Sequence, residues 1–219
     1  EAAVWLSAAI EFAYGSMPTL HRDRIAVNAT LPAVAPDQVA TVLARFGSFS
    51  TVKIKVAEPG QTPGQDVDRI IEVRKLYPEA KIRLDANGGW SPELSFSFIK
   101  ALAGQGIELE YLEQPCKTID ELARLRQMIA ESNFNVPIAA DESVRKASDP
   151  MAVVEAAAAD ILVLKAAPLG GVSRALDIAR GAGLLEVPPT TLRTKASLTV
   201  ISSLVCALTC VRAVACADW

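Results

Sequence analysis

Five apolar runs rich in valine, isoleucine and leucine each deliver a charged residue at their C-terminal end. Lys55 closes Val52-Lys-Ile-Lys, Asp85 lies in Arg83-Leu-Asp-Ala-Asn-Gly, Glu113 in Tyr111-Leu-Glu-Gln-Pro, Asp141 in Ala139-Ala-Asp-Glu-Ser and Lys165 in Leu162-Val-Leu-Lys. Successive charges stand 30, 28, 28 and 24 residues apart. Each interval holds one strand, one crossover helix and two short loops, so the beat confines the chain to parallel β/α architecture. In a β/α barrel such strand ends converge on one mouth, where active sites lie.

The strand runs are residues 25–29, 52–56, 82–85, 109–113, 138–141 and 161–165. Their near-continuous apolar character suits parallel strands covered on both faces. Between them, Val67, Ile70, Ile71 and Val73 recur at helical spacing within 67–76, and Ile119, Leu122, Leu125, Met128 and Ile129 do so within 119–129. Ser91 reads as an N-cap with Pro92 in the first turn. No GxGxxG follows any strand, and this favours a TIM-type (β/α) barrel over a dinucleotide-binding sheet. Pro168-Leu169-Gly170-Gly171 is read as a structural turn, and Ala2–Tyr14 as an Ala-rich packing helix.

The rest of the composition excludes whole classes. His21 is the single histidine, so neither a Ser-His-Asp triad nor a His-rich zinc site fits, and acid/base work falls to carboxylates and lysines. The net charge of −3 supplies no field for a polyanion, so nucleic acid is not expected as a partner. Residues 196–211 form an uncharged run of 16, short of the roughly 18–20 apolar residues of a membrane span. Cys116, Cys206, Cys210 and Cys216 form no CxxC pair and fit a reducing compartment. The first residues lack the basic-then-apolar pattern of a signal peptide, and the chain is expected to be cytoplasmic and truncated.

Taken singly, a lysine or aspartate at a strand end is ordinarily a solvated terminus. Five in succession are not. Asp85, Glu113 and Asp141 converging at one mouth would repel one another unless a hard divalent cation neutralised them, and all-oxygen ligation selects magnesium or manganese over zinc. Lysines on the flanking strands would then face opposite sides of a carboxylate substrate bound at that ion. A cation there lowers the cost of an enediolate, formed when a proton leaves the carbon beside the carboxylate. Lys53 and Lys55 share a strand face by period 2, and Lys55, nearer the strand end, is the better base.

These residues resemble the enolase superfamily, specifically its muconate-lactonizing subgroup with its pattern of Lys-x-Lys, Asp, Glu, Asp and Lys. The likeness runs from about Arg24 to Gly183. Val27-Asn-Ala-Thr, Val52-Lys-Ile-Lys-Val-Ala-Glu-Pro-Gly-Gln, Leu112-Glu-Gln-Pro-Cys and Leu164-Lys-Ala-Ala-Pro-Leu-Gly-Gly look like the actinobacterial o-succinylbenzoate synthases within it. The resemblance implies a magnesium-dependent lyase that dehydrates 2-succinyl-6-hydroxy-2,4-cyclohexadiene-1-carboxylate to 2-succinylbenzoate, in menaquinone biosynthesis. It further implies Lys55 as base and then acid, Lys165 stabilising the enediolate from the opposite face, and Asp85, Glu113 and Asp141 as metal ligands. Lys53, Arg83, Asn87 and Glu142 would support the site or line its pocket.

The expected organisation is a linker helix over 1–23, β/α barrel units 1–6 over 24–184, and an atypical segment over 185–219 in place of units 7 and 8. The family has an N-terminal capping domain, which this chain is expected to lack, so the barrel is expected to be incomplete. After Gly183, Leu185-Glu-Val-Pro-Pro-Thr-Thr-Leu-Arg-Thr-Lys departs from the family pattern, as a shifted reading frame would. Two other readings use the same residues: an N-acylamino acid racemase or dipeptide epimerase, and an inactive truncated or frameshifted remnant. The partner expected is a small-molecule carboxylate, with neither nucleic acid nor membrane.

Overall fold

The computed structural model describes residues 2–14, 26–183 and the backbone of 201–202. The Arg24 and Ile25 positions, His21, Cys206, Cys210, Cys216 and nearly all of the 185–219 segment lie outside the described residues. The chain separates into two compact units, one of residues 26–139, the other joining the N-terminal helix to residues from Ala140 onward.

Helix α1 (Ala2–Tyr14) spans the residues expected of it and belongs to the second unit. The first unit opens with β1 (Ala29–Leu31) and the short α2 (Val39–Leu43). It continues through β2 (Thr51–Lys55), α3 (Pro63–Leu76), β3 (Lys81–Asp85), α4 (Pro92–Gly104), β4 (Tyr111–Glu113), α5 (Ile119–Ala130) and β5 (Ile138–Ala140). Strands β1 to β5 pair parallel in sequence order, as a β/α barrel wall requires. The first strand, Ala29–Leu31, lies later than the expected 25–29, and Pro32, with no amide to donate, ends it.

The helices start where capping chemistry places them. Thr62 and Thr118 form capping boxes with Gln65 and Glu121, and Pro63 occupies the first turn of α3. Ser91 Oγ accepts from the Leu94 amide, as the sequence predicts. Helix α3 therefore begins four residues before the expected 67–76, since the cap, not the first apolar residue, fixes the boundary.

Alternation within the strands sorts the unit into two faces. Val52, Ile54, Ile82, Leu84, Leu112 and Ile138 are fully buried on one face, alongside helix residues such as Ile70, Val73 and Leu122. The other face carries Lys53 and Lys55, Arg83 and Asp85, Tyr111 and Glu113. Register aligns them in two rows: Lys53 opposite Arg83 opposite Tyr111, then Lys55 opposite Asp85 opposite Glu113 opposite Ala139.

The second unit continues from Ala140 with α6 (Glu142–Arg145), α7 (Ala152–Glu155), β6 (Ile161–Leu164), α8 (Ala166–Leu169), α9 (Val172–Gly181) and β7 (Ile201–Ser202). The expected turn at 168–171 is the end of α8 followed by Gly170 and Gly171, whose φ angles of 101° and 129° suit glycine. A Cβ on Gly171 would meet the Glu11 carboxylate of α1, which accepts from Ser173 N and Oγ at the start of α9. Strand β7 pairs parallel with β6. No helix among the described residues is long and apolar enough to cross a membrane.

Candidate active site

Every charge expected at a strand end is at one. Lys55, Asp85 and Glu113 are the last residues of β2, β3 and β4, while Asp141 and Lys165 follow β5 and β6 by one residue. In the first unit the Lys53 ammonium lies 2.7 Å from Glu113 Oε1 and 2.9 Å from Asp85 Oδ2. The Lys55 ammonium donates to the same Asp85 Oδ2 at 2.6 Å and to Asn87 Oδ1 at 2.7 Å. Asp85 and Glu113 are each 1% exposed, so these cations neutralise anions shielded from water.

Burial disfavours the Lys53 ammonium, but the Glu113 and Asp85 carboxylates outweigh burial and hold its pKa above the ordinary lysine value. Burial also pushes the Asp85 carboxyl up, and Lys53 and Lys55 more than offset this, leaving it below the usual carboxylate range. One row deeper, Arg83 Nε donates to Glu110 Oε2 at 2.5 Å, and its guanidinium lies 5.0 Å from the Tyr111 ring centroid. Burial, then the Glu113 charge, push the Tyr111 phenol up to about 12, against the opposing Arg83 and Lys53 charges. Arg83 is thus engaged by Glu110 and Tyr111 beneath the strand-end row, whereas Asn87, two residues past the end of β3, accepts from Lys55 in it.

Backbone hydrogen bonds extend sideways past the strand ends. Val56 donates to Asp85 O, Ala86 to Glu113 O, and Gln114 to Ala139 O, at 3.0, 3.1 and 2.7 Å. Just beyond, Ala57, Asn87 and Gln114 take positive φ, a conformation that is costly for residues with a Cβ and concentrates at functional sites.

In the second unit Lys165 Nζ lies 2.6 Å from Asp141 Oδ2, and Arg145 Nε lies 3.1 Å from Asp141 Oδ1. Arg145 Nη2 also donates to Glu142 Oε1 at 2.6 Å. Asp141 is as buried as Asp85 and Glu113. Arg145 closes the family-like segment Ala139-Ala-Asp-Glu-Ser-Val-Arg but is expected to have no role of its own, although its position four residues after Asp141 puts both on one helical face.

Residues 35–215 match the sequence model of the family described as enolase C-terminal domain-like. The chain belongs to that family. Among this enolase-family chain's relatives, the o-succinylbenzoate synthase of Mycobacterium ulcerans (strain Agy99) is 57% identical over 179 residues, 82% of this chain and 52% of that protein. The chain therefore spans about half the length of the curated relatives it matches. A substrate-liganded L-Ala-D/L-Glu epimerase from Bacillus subtilis aligns with TM-score 0.63 and 32% identity, over 74% of this chain and 46% of that one. An enolase from Thermobispora bispora DSM 43833, complexed with magnesium and formate, aligns with TM-score 0.60 and 27% identity, over 74% and 41%. The β/α barrel expected from the strand beat and the enolase superfamily implied by the resemblance are the class of this chain.

The donor chemistry of this enolase-family site suits a hard cation. Asp85 and Glu113 are buried, oxygen-only, adjacent in register and already counterbalanced by cationic groups. Among the described residues no three His, Cys, Asp or Glu side chains are gathered into a ready metal cage. The structure brings Asp85 to Glu113 within the first unit and Asp141 to Lys165 within the second.

Proposed function

We propose that this enolase-family chain carries o-succinylbenzoate synthase chemistry: dehydration of 2-succinyl-6-hydroxy-2,4-cyclohexadiene-1-carboxylate to 2-succinylbenzoate, a lyase step of menaquinone biosynthesis in the cytoplasm. The observation that carries this reading is the strand-end row itself, with Lys55 in register with Asp85 and Glu113, and Asp141 and Lys165 at the next two strand ends. The 57% identity to an o-succinylbenzoate synthase supports the substrate assignment.

Asp85, Glu113 and Asp141 would hold magnesium, with manganese as substitute. Bound there, the cation would lower the cost of negative charge on the substrate carboxylate. Lys55, as the free amine, takes the proton from the ring carbon bearing that carboxylate, and the Lys165 ammonium faces the charge that develops. Lys55 then returns its proton to the departing hydroxide. One C–H and one C–O bond break, a ring double bond forms, and water leaves. Lys53, held cationic by Glu113 and Asp85, serves as a fixed positive charge and not as a second base. Asn87 orients the Lys55 amine, and Glu142 anchors the arginine that holds Asp141.

The assay is magnesium-dependent formation of 2-succinylbenzoate by the full chain, with Lys55→Ala beside it. Turnover abolished by Lys55→Ala is the expected result. A folded chain that binds magnesium but forms no product would instead be an inactive remnant.

A two-base alternative uses the same lysines: Lys55 lies 2.6 Å from Asp85 and Lys165 2.6 Å from Asp141, and a racemase or epimerase would need both as bases. Exchange of the α-proton of N-acylamino acids or dipeptides in D2O, lost in one stereochemical direction by Lys165→Arg, would establish it. Under the lyase reading the same substitution lowers dehydration only partially.

A further inference from the structure

Arg69 is the largest fully buried side chain of the first unit, and it serves no strand-end carboxylate. Its guanidinium engages four acceptors. Nε donates to Val34 O at 2.6 Å, Nη2 to Gln61 Oε1 at 2.6 Å, and Nη1 both to Asp66 Oδ1 at 2.8 Å and to the backbone carbonyl of Lys55 at 3.0 Å. The second Asp66 oxygen accepts from the Ala57 amide at 2.9 Å.

The Lys55 carbonyl is where a strand neighbour runs out. Strand β1 pairs with β2 as far as Leu31 opposite Ile54, and Pro32 then turns away, with Val34 N bonded to Pro32 O at 2.8 Å. The Val56 amide faces the other side, toward Asp85 O. Arg69 therefore replaces the absent strand on the β1 side of Lys55, and Asp66 holds the amide of Ala57, whose φ of 61° opposes an ordinary extended continuation. A planar five-donor fork spans these acceptors; a lysine ammonium, donating from one point, does not.

We infer that Arg69, with Asp66, is a positioning residue that fixes the C-terminal end of β2 and thereby the reach of the Lys55 amine toward Asp85. The inference rests on the reading of Lys55 as the base. A buried ion pair between positions 66 and 69 is otherwise poorly explained, since desolvation costs as much as such a pair returns. Here the pair organises the backbone on both sides of Val56.

The test uses the full chain carrying Arg69→Lys or Asp66→Asn, with Gln61→Leu as a milder variant that removes one arm of the fork at a partly exposed position. Two readouts need no turnover: amide hydrogen exchange at Val56 and Ala57 against Leu112, and the 13Cε resonance of Lys55 in lysine-labelled protein, assigned with Lys55→Arg. Exchange at Val56 and Ala57 is expected to accelerate about tenfold or more, with Leu112 unchanged and the Lys55 resonance displaced. Turnover is expected to show kcat lowered about tenfold with KM nearly constant. Gln61→Leu gives the same pattern at smaller size, and decides the matter where the stronger variants do not fold. Folded variants with unaltered Val56 and Ala57 exchange and an unmoved Lys55 resonance overturn the inference, as does unchanged kcat beside accelerated exchange. Failure of Lys55 as base is read separately, from turnover surviving in Lys55→Ala.

Discussion

The ammonium of Lys53 reaches two strands across the sheet to lie 2.7 Å from Oε1 of Glu113. On its way it passes 2.9 Å from Asp85, so one cation serves two buried anions. Lys53→Met should cost about 3–5 kcal/mol of stability, the range for removing one partner of a buried ion pair. Added magnesium should raise the unfolding midpoint of Lys53→Met more than that of wild type, because in the variant it relieves uncompensated charge. Thermal melts with and without magnesium check both; equal magnesium shifts in the two proteins would remove Asp85 and Glu113 as ligands.

Asp85 gives a pH prediction of definite sign. Its carboxyl is raised by burial and lowered further by Lys53 and Lys55, so folded Asp85 binds a proton less readily than unfolded Asp85. Its contribution is therefore present above the unfolded value near about 3.9 and lost as pH falls from there through the lower folded value. Urea unfolding below about pH 4 should show a shallower loss of stability in Asp85→Asn than in wild type. Parallel pH slopes would show that Asp85 is not the titrating group.

Cys116 follows Glu113 in the β4–α5 loop, fully buried, with Sγ 3.7 Å from Ser95 Oγ. Burial raises its thiol to about 11, the Ser95 contact partly opposing and the Glu121 and Glu93 charges adding to the rise. The thiolate fraction near pH 8 is then about a few hundredfold below that of an ordinary thiol, before steric protection is counted. Alkylation mapped by peptide mass spectrometry should find Cys116 unmodified in folded protein and modified in urea.

Gly89 is locked between two loops. A Cβ there would lie 2.7 Å from Ala57 Cβ and 3.0 Å from the Ala57 and Ala86 carbonyl oxygens. Gly89→Ala should destabilise by about 1–3 kcal/mol. Ala57→Gly removes one of the clashing atoms and suits the positive φ at that position, so the double variant should recover part of the loss. Strict additivity in a double-mutant cycle would show that the two loops do not press on each other.

The strand-end row is legible in the sequence because parallel pairing advances one register per repeat. Lys55, Asp85 and Glu113 each close an apolar run, and the pairing register brings these run ends level. The start of β1 is less legible, since 25–29 is as apolar as any strand while pairing begins only at Ala29. Arg83 is expected to support the site or line its pocket only through the family resemblance; its spacing of two from Asp85 sets it one row deeper, against Glu110 and Tyr111. Arg69 leaves no trace of its role. Two of its acceptors are backbone carbonyls, which carry no residue identity, and its neighbour Asp66 looks like any acidic first-turn residue.

The sideways hydrogen bonds from Val56, Ala86 and Gln114 make each loop the template for the next. These bonds run between backbone groups, so the alignment does not depend on which side chains stand at Val56, Ala86 and Gln114. Insertions and deletions are another matter: adding a residue between Asp85 and Gly89 would misalign Gly88 and Trp90 from the Gln114 and Pro115 carbonyls they bond. Length variation in this protein should therefore accumulate at the opposite ends of the strands, near Gly47 and Gly106, where a side chain would meet open space.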